Sequence, residues 1–577
     1  MILQALNDYY QRKTRLPGSD LAPLGFEHKP IPFVVVLTST GDFAALEDTR
    51  EGEGKKRAAK SFLVPQTVKR SSGVAANLLW DNSGYMFGVD TKGKPERVHE
   101  QHSAFISALR ARFASPLDAG IQAVLAFLEC GDFERVFAHP LWPEILESGA
   151  NLTFRLEGDI CPVCEREAVV DTLTAASQGD AGATGLCLVS GETDVIERLH
   201  PSVKGVWGAQ TAGANIVSFN LDAFSSYGKV QGGNAPVGKR AAFAYTTALN
   251  HLLAKGSRQR IQVGDASTVF WAEKPGHPME ELFPGFFSEA SKDDPDHGTQ
   301  AVAAWLAAPR TGADSFEDDG TRFYVLGLAP NAARIAVRFW HVKTVGELAV
   351  NIHRHFDDLR IAHAPHEPET LTLFRLLVAT ATLGKAENIP PNLGGELMRS
   401  VIEGLPYPQT LLAGAIRRIR AEQEVTYPRA AIIKACLNRY SGKEELKVSL
   451  DENNINPAYR LGRLFAVLER IQEEANPGIR ATIRNTLWGA ASGTPGKAFP
   501  RLINLATKHL AKIRREKPGR AVNLEKLVGA IMGALEPDKP FLPVLSLNDQ
   551  GSFAVGYYHQ KQHPSTYKTQ GDEHDSE

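Results

Sequence analysis

The sequence predicts an α+β chain in three consecutive parts: a mixed N-terminal region over residues 1–150, a β-rich, ribbon-like middle over 151–365, and a C-terminal helical bundle over 366–577. Three observations carry that expectation. A β-branched run, IPFVVVLTST, stands beside segments of helical period in the first part. Seven glycines crowd residues 204–238 in the second. In the third, apolar residues recur at helical spacing. A chain of 577 residues is also too long for one ordinary core.

In the first part, HEQHSAFISALRARFAS and PLDAGIQAVLAFLECG space their apolar residues as helices do. The glycine-rich stretch KGVWGAQTAGANIVSFNLDAFSSYGKVQGGNAPVG has the composition of loops and hairpins. TRFYVLGLAP and ARIAVRFWHV, separated by a turn at Asn331, predict a hairpin closing the middle part. In NPAYRLGRLFAVLERIQEEANPG, Leu461, Leu464, Phe465, Leu468 and Ile471 fall on one face. Asn456 is placed to cap that helix, Pro457 to occupy its first turn, and Asn476-Pro477-Gly478 to end it. Helices of the same kind follow in PRLINLATKHLAKIRREK and NLEKLVGAIMGAL.

Composition limits the function. With 64 Lys and Arg against 66 Asp and Glu the net charge is −2, so any nucleic-acid role rests on local segregation of charge. The N-terminal residues mix acid and base without the pattern of a signal peptide, and FVVVL and IQAVLAFL are far shorter than a membrane span. A cytoplasmic protein is expected. Five cysteines (130, 161, 164, 187 and 436) are sparse and odd in number, which suits a reducing compartment.

Catalytic motifs are missing: there is no Walker loop, dinucleotide fingerprint or nucleophile elbow. Cys161 and Cys164, with Cys187 further on, offer a zinc ribbon whose second knuckle ends in Ser190, a poor fourth ligand; His200 is an alternative one. The expectation is a ribbon without an obligatory cofactor, with zinc as the option. The segment NIHRHFDDLRIAHAPHE gathers His353, His355, His363 and His366 with Asp357 and Asp358. On a helix, His353 and His355 lie roughly 200° apart and cannot chelate one ion. A metal-dependent nuclease built on this cluster, or a structural zinc-ribbon adaptor, are the alternative functions.

Charge segregation is the stronger lead. Lys55, Lys56, Arg57, Lys60, Lys69 and Arg70 occur without an acid between residues 54 and 70, and Lys92, Lys94 and Arg97 follow. A second cluster, Arg501, Lys508, Lys512, Arg514, Arg515, Lys517 and Arg520, faces Glu516 alone. The glycine-rich segment adds Gln210, Asn215, Ser218, Asn220, Tyr227, Lys229, Gln231 and Asn234 on adaptable backbone; amides of this kind can read base edges.

Several long strings, among them VPQTVKRSSGVAANLLWDNSGYMFGVD, FYVLGLAPNAARIAVRFW, YPRAAIIKACLNR and LSLNDQGSFAVGYYHQK, resemble the large subunit of the type I-C CRISPR interference complex, Cascade. The resemblance covers essentially the whole chain. It implies a non-catalytic subunit that recognises the protospacer-adjacent motif (PAM), helps to open the duplex and stabilises the R-loop, while guide pairing reads the rest. The implied partners are the crRNA, target DNA, the backbone and crRNA 5′-end subunits, small subunits and a recruited helicase-nuclease. Lys69 and Arg70 are then expected to meet the duplex, with Ser71, Ser72 and Asn77 shaping the turn. Arg460 and Arg463, with Lys508, Lys512, Arg514 and Arg515, are expected to track single-stranded DNA. The family also implies a small subunit translated internally from the same gene, and the sequence permits a start near Val448 or Met398.

Overall fold

A computed structural model describes residues 1–52, 57–68, 70, 73–91, 95–113, 118–178, 182–288, 302–307 and 316–563. The fold is α+β, as the sequence predicts. The chain divides into two compact units, one of Met1–Val203 with Asn215–His251, the other of Lys204–Ala214 with Leu252–Glu577. The expected middle part, 151–365, is thus shared between them.

The first unit is built on a four-stranded sheet. β1 (Phe33–Leu37) pairs antiparallel with β2 (Phe43–Asp48) and parallel with β4 (Asn151–Leu156), and β3 (Trp80–Asn82) lies antiparallel on the far side of β4. All five residues of β1 are buried, which is why its sequence is a continuous apolar run instead of an alternating one. Helix α1 (Ala119–Cys130) packs on this sheet; Asp118 caps it through the amides of Gly120 and Ile121 (2.8 and 3.1 Å), and Gly131 ends it in the left-handed conformation. Residues 204–238 form bends and short 3₁₀ turns, the loops their glycines predict, without the expected hairpins.

The second unit joins a sheet to the helices. β5 (Arg260–Val263), β6 (Ala266–Ala272), β7 (Arg322–Asn331) and β8 (Arg334–Thr344) form an antiparallel meander in that order. β7 and β8 are the predicted hairpin, with the reversal at Ala332, where φ is +54°. Phe270, Phe323, Val325 and Phe339 on one face belong to the same core as the helices, because an apolar sheet face needs a cover.

Around that core lie α2 (Val345–Leu359), α3 (Tyr427–Ser441), α4 (Pro457–Ala475), α5 (Pro495–Glu516) and α6 (Leu547–Gln562). The predicted cap of α4 is present: Asn456 Oδ1 accepts from the amides of Ala458 and Tyr459 at 2.9 and 3.1 Å. Its five predicted core residues are all buried, each worth about 2 kcal/mol. α6 is buried continuously from Gly551 to Gln560 and crosses α4 at two glycines. A Cβ on Gly462 would lie 2.0 Å from Phe553 O, and one on Gly556 would lie 2.1 Å from Tyr459 O.

Candidate nucleic-acid interface

The two basic regions differ in what their cations touch. In the N-terminal one, Arg57 Nη2 lies 2.5 Å from Asp48 Oδ2, and Lys60 Nζ stands 5.5 Å over the Phe62 ring. Arg70 forms an ion pair with Asp81, donates from Nε to Ala75 O at 2.7 Å, and lies 4.0 Å from the centre of the Tyr85 ring. Asp81 is buried, and its carboxylate also accepts the Asn77 and Asn82 amides at 3.0 and 2.9 Å. Buried Asn77 in turn accepts the Val68 amide at 3.0 Å. Asn77 therefore holds the backbone at Val68, and Arg70 ties Ala75 and Asp81 together. Lys55, Lys56, Lys69, Ser71, Ser72, Lys92 and Lys94 lie outside the described residues.

In the C-terminal region most cations on one helix face have no acid partner among the described residues. Along α5, Lys497, Arg501, Lys508, Lys512 and Arg515 fall within roughly 60° of one another around the axis and span about 27 Å. All five are exposed, and the buried Ala498, Phe499, Leu502, Ala506, Leu510 and Ile513 occupy the opposite side. Among the described residues Lys497, Arg501, Lys508 and Arg515 have no ion pair, and Lys512 has only Asn476 Oδ1 at 3.3 Å. Arg514 points away and pairs with Glu525, while buried Arg520 clamps Glu474 at 2.7 Å. Lys517 is exposed beyond the helix end. Lys497 joins the stripe without having been singled out in the sequence; its spacing to Arg501 was the available signal.

Arg460 and Arg463 lie elsewhere. Arg460 donates to the carbonyls of Asn454 (2.6 Å) and Ala534. Arg463 donates to Gln560 Oε1 (3.0 Å) and Glu452 O (3.3 Å) and is buried, because α6 covers the face of α4 that the apolar pattern leaves polar. A buried guanidinium with internal partners is no phosphate contact, so Arg463 is left out of the surface.

The glycine-rich segment is partly assembled. Asn215, Ser218, Asn220 and Gln231 line a recess of about 70 Å³ together with Arg198 and His200. Asn215 Nδ2 donates to His200 O (2.8 Å), and Arg198 Nη1 to Gln231 Oε1 (2.5 Å). Asn234 fixes the neighbouring loop: Oδ1 accepts from Ser226 N (2.8 Å), and Nδ2 donates to the carbonyls of Lys229 and Gln231 (3.1 and 2.9 Å). Tyr227 at the tip of that loop has φ of +53° and a fully exposed side chain, beside exposed Lys229. Gln210 is exposed on the 204–214 loop of the other unit.

No group of three or more His, Cys, Asp or Glu side chains that could hold a metal ion occurs among the described residues. Cys164 is buried, 3.8 Å from Thr153 Oγ1, and burial pushes its thiol up to about 12. Cys187 accepts the amides of Val189 and Ser190, both at 3.4 Å, within its own turn. Cys161 is half-buried. The predicted divergence of the histidines on α2 is observed: His353 stacks on Trp305 at 4.0 Å, whereas His355 is buried against the Tyr407 hydroxyl at 2.6 Å. Asp358 pairs with Arg439 at 2.5 Å. Among the described residues no helix is long and apolar enough to cross a membrane.

Residues 6–564 match the family model described as CRISPR-associated protein (Cas_Csd1). No curated protein matches the chain.

Proposed function

Because the chain belongs to the Cas_Csd1 family of CRISPR-associated proteins, we propose that it is the large subunit of a type I-C crRNA-guided surveillance complex in the cytoplasm, acting in antiviral defence without catalytic activity or an obligatory cofactor. In this reading it recognises the PAM, helps to open the duplex, stabilises the R-loop and recruits a helicase-nuclease. Its partners are crRNA, target DNA, the backbone and crRNA 5′-end subunits and small subunits.

The observation that carries the reading is the row of five exposed cations on α5. Cations repeated along one helix face suit a sequence-blind phosphate backbone, the requirement for holding a displaced strand. At the other end of the task, the turn at Lys69 and Arg70 is the proposed duplex contact. Arg70 supports it because its guanidinium is held by Asp81, Ala75 O and the Tyr85 ring. Tyr227, held out by the Asn234-pinned loop, is the proposed motif-reading or strand-splitting side chain.

The internal start near Val448 gains support over Met398. Val448 lies between α3 and α4, so a product beginning there keeps α4, α5 and α6 whole. Met398 is buried in the helix Leu393–Ile402, which a start there would cut.

The test assembles the full chain with crRNA and the other subunits and measures binding to target duplexes with and without the motif at fixed salt. Replacing Lys69 and Arg70 with alanine is expected to abolish the difference between the two duplexes. Replacing the five α5 cations with glutamine is expected to weaken both duplexes alike. Unchanged binding in both variants overturns the reading.

A further inference from the structure

The face of the β5–β8 sheet turned away from the helical core carries a row of side chains that the reading above does not use. Strand alternation places Arg322 and Tyr324 of β7 on this face, with Arg338, Trp340 and Val342 of β8. Phe323, Val325 and Phe339 point to the core. The register sets the order of the row. Arg322 stands opposite Thr344, Tyr324 opposite Val342, and Trp340 opposite Leu326. The irregularity at Gly327/Leu328 leaves Arg338 as the extra residue one step further. Along the strands the sequence is therefore cation, ring, ring, cation, at steps of about 6.7 Å.

The rings stack on one another. Tyr324 and Trp340 are near-parallel, with an interplanar angle of 16° and centroids 5.7 Å apart, and both are half-buried. Trp271 on β6 supports them from a fully buried position, 5.2 Å from Tyr324 and 5.7 Å from Trp340. The cations remain available at the surface: the Arg322 side chain is 64% exposed and sits 4.0 Å from Glu273, and Arg338, 38% exposed, lies 2.7 Å from Asp265. Exposed pairs of this kind are worth under about 1 kcal/mol and exchange readily for a phosphate.

We infer that the Arg322–Tyr324–Trp340–Arg338 row is a stacking site for single-stranded nucleic acid, a base continuing the ring stack and the flanking phosphates on the guanidiniums. Aromatic platforms take any base, because every base has a π-face, and the arginines at both ends supply complementary charge. This site is distinct from the α5 stripe and stands or falls separately from it.

The test uses the full chain with all five α5 cations replaced by glutamine, and fluorescently labelled twelve-nucleotide oligothymidine and oligouridine as probes. Added Tyr324→Ala and Trp340→Ala should weaken binding at least about tenfold, with the salt slope unchanged, since stacking releases no counterions. Tyr324→Phe with Trp340→Phe should restore it. The two probes distinguish a DNA site from an RNA site. Should the alanine variant lose its thermal transition, photocrosslinking of the same probes to the unmodified chain replaces it, with crosslinks expected in residues 322–343. Unchanged affinity in a folded alanine variant, or crosslinks only outside that segment, overturns the inference.

Discussion

The basic turn at residue 70 and the basic face of α5 look alike as strings of letters and differ as chemistry. Arg70 has a buried acid, a carbonyl and an aromatic ring around it, whereas Lys497, Arg501, Lys508 and Arg515 have no ion pair among the described residues. A cation held by a buried carboxylate organises backbone. A cation left to solvent on a helix face stays available to an outside partner. Charge runs in a sequence therefore require a second question, whether the fold brings an acid to them.

The comparison is broken most forcefully at Asp81. Asp81→Ala removes the acceptor shared by Arg70 and the Asn77 and Asn82 amides, and should destabilise the first unit by about 3 kcal/mol or more, read as a lower denaturant midpoint. Glutamine at the five α5 positions should move stability by no more than about 0.5 kcal/mol per site. Similar stability losses from both would erase the distinction.

Acidification separates fold from charge. Burial lowers His355 to about 3 and His559 to about 4, in both cases as the largest cause, with Arg439 and Lys434 respectively adding to it. Both folded values lie below the unfolded value of 6.5, so the unfolded chain binds more protons as pH falls. Stability present above pH 6.5 is then lost towards pH 4, by up to about 1.4 kcal/mol per pH unit for each histidine. Chemical denaturation at pH 7 and pH 5 should show this loss. Nuclear magnetic resonance signals showing either imidazole protonated at pH 6 in the folded chain would contradict it.

The smallest effect belongs to Arg57. Its guanidinium is 40% exposed, so Arg57→Gln should cost under 1 kcal/mol of stability despite the short contact to Asp48. A larger loss by calorimetry would place it with Arg70 as an anchor.

The helices were legible where local chemistry sets them. Asn456 and Pro457 open α4 as their positions require, and the five apolar residues of its core face are buried. The pairing of FYVLGLAP with ARIAVRFW was legible for the same reason, alternating apolar residues around a short turn. Contacts between distant elements were not. Asp81 follows Arg70 by eleven residues and reaches it because β3 carries its carboxylate to the Arg70 guanidinium. Arg463 lies on the polar side of α4 by its spacing, yet α6 covers that side; the clue was the pair of mid-helix glycines, Gly462 and Gly556, whose helix-weakening cost is justified by the close crossing. Of the candidate site, the α5 stripe could be read from its period, whereas the recess joining Arg198 to Asn215 and Gln231 depends on long-range folding.

The salt dependence of single-strand binding tests the central claim most directly. With the isolated full chain and a labelled single-stranded oligonucleotide, five phosphate contacts on α5 correspond to a slope of log affinity against log salt steeper by about 3.5 than in the chain with glutamine at Lys497, Arg501, Lys508, Lys512 and Arg515. Arg70→Gln should leave that slope unchanged. Equal slopes before and after substitution of the five α5 cations, or a flattening produced by Arg70→Gln alone, would contradict the account.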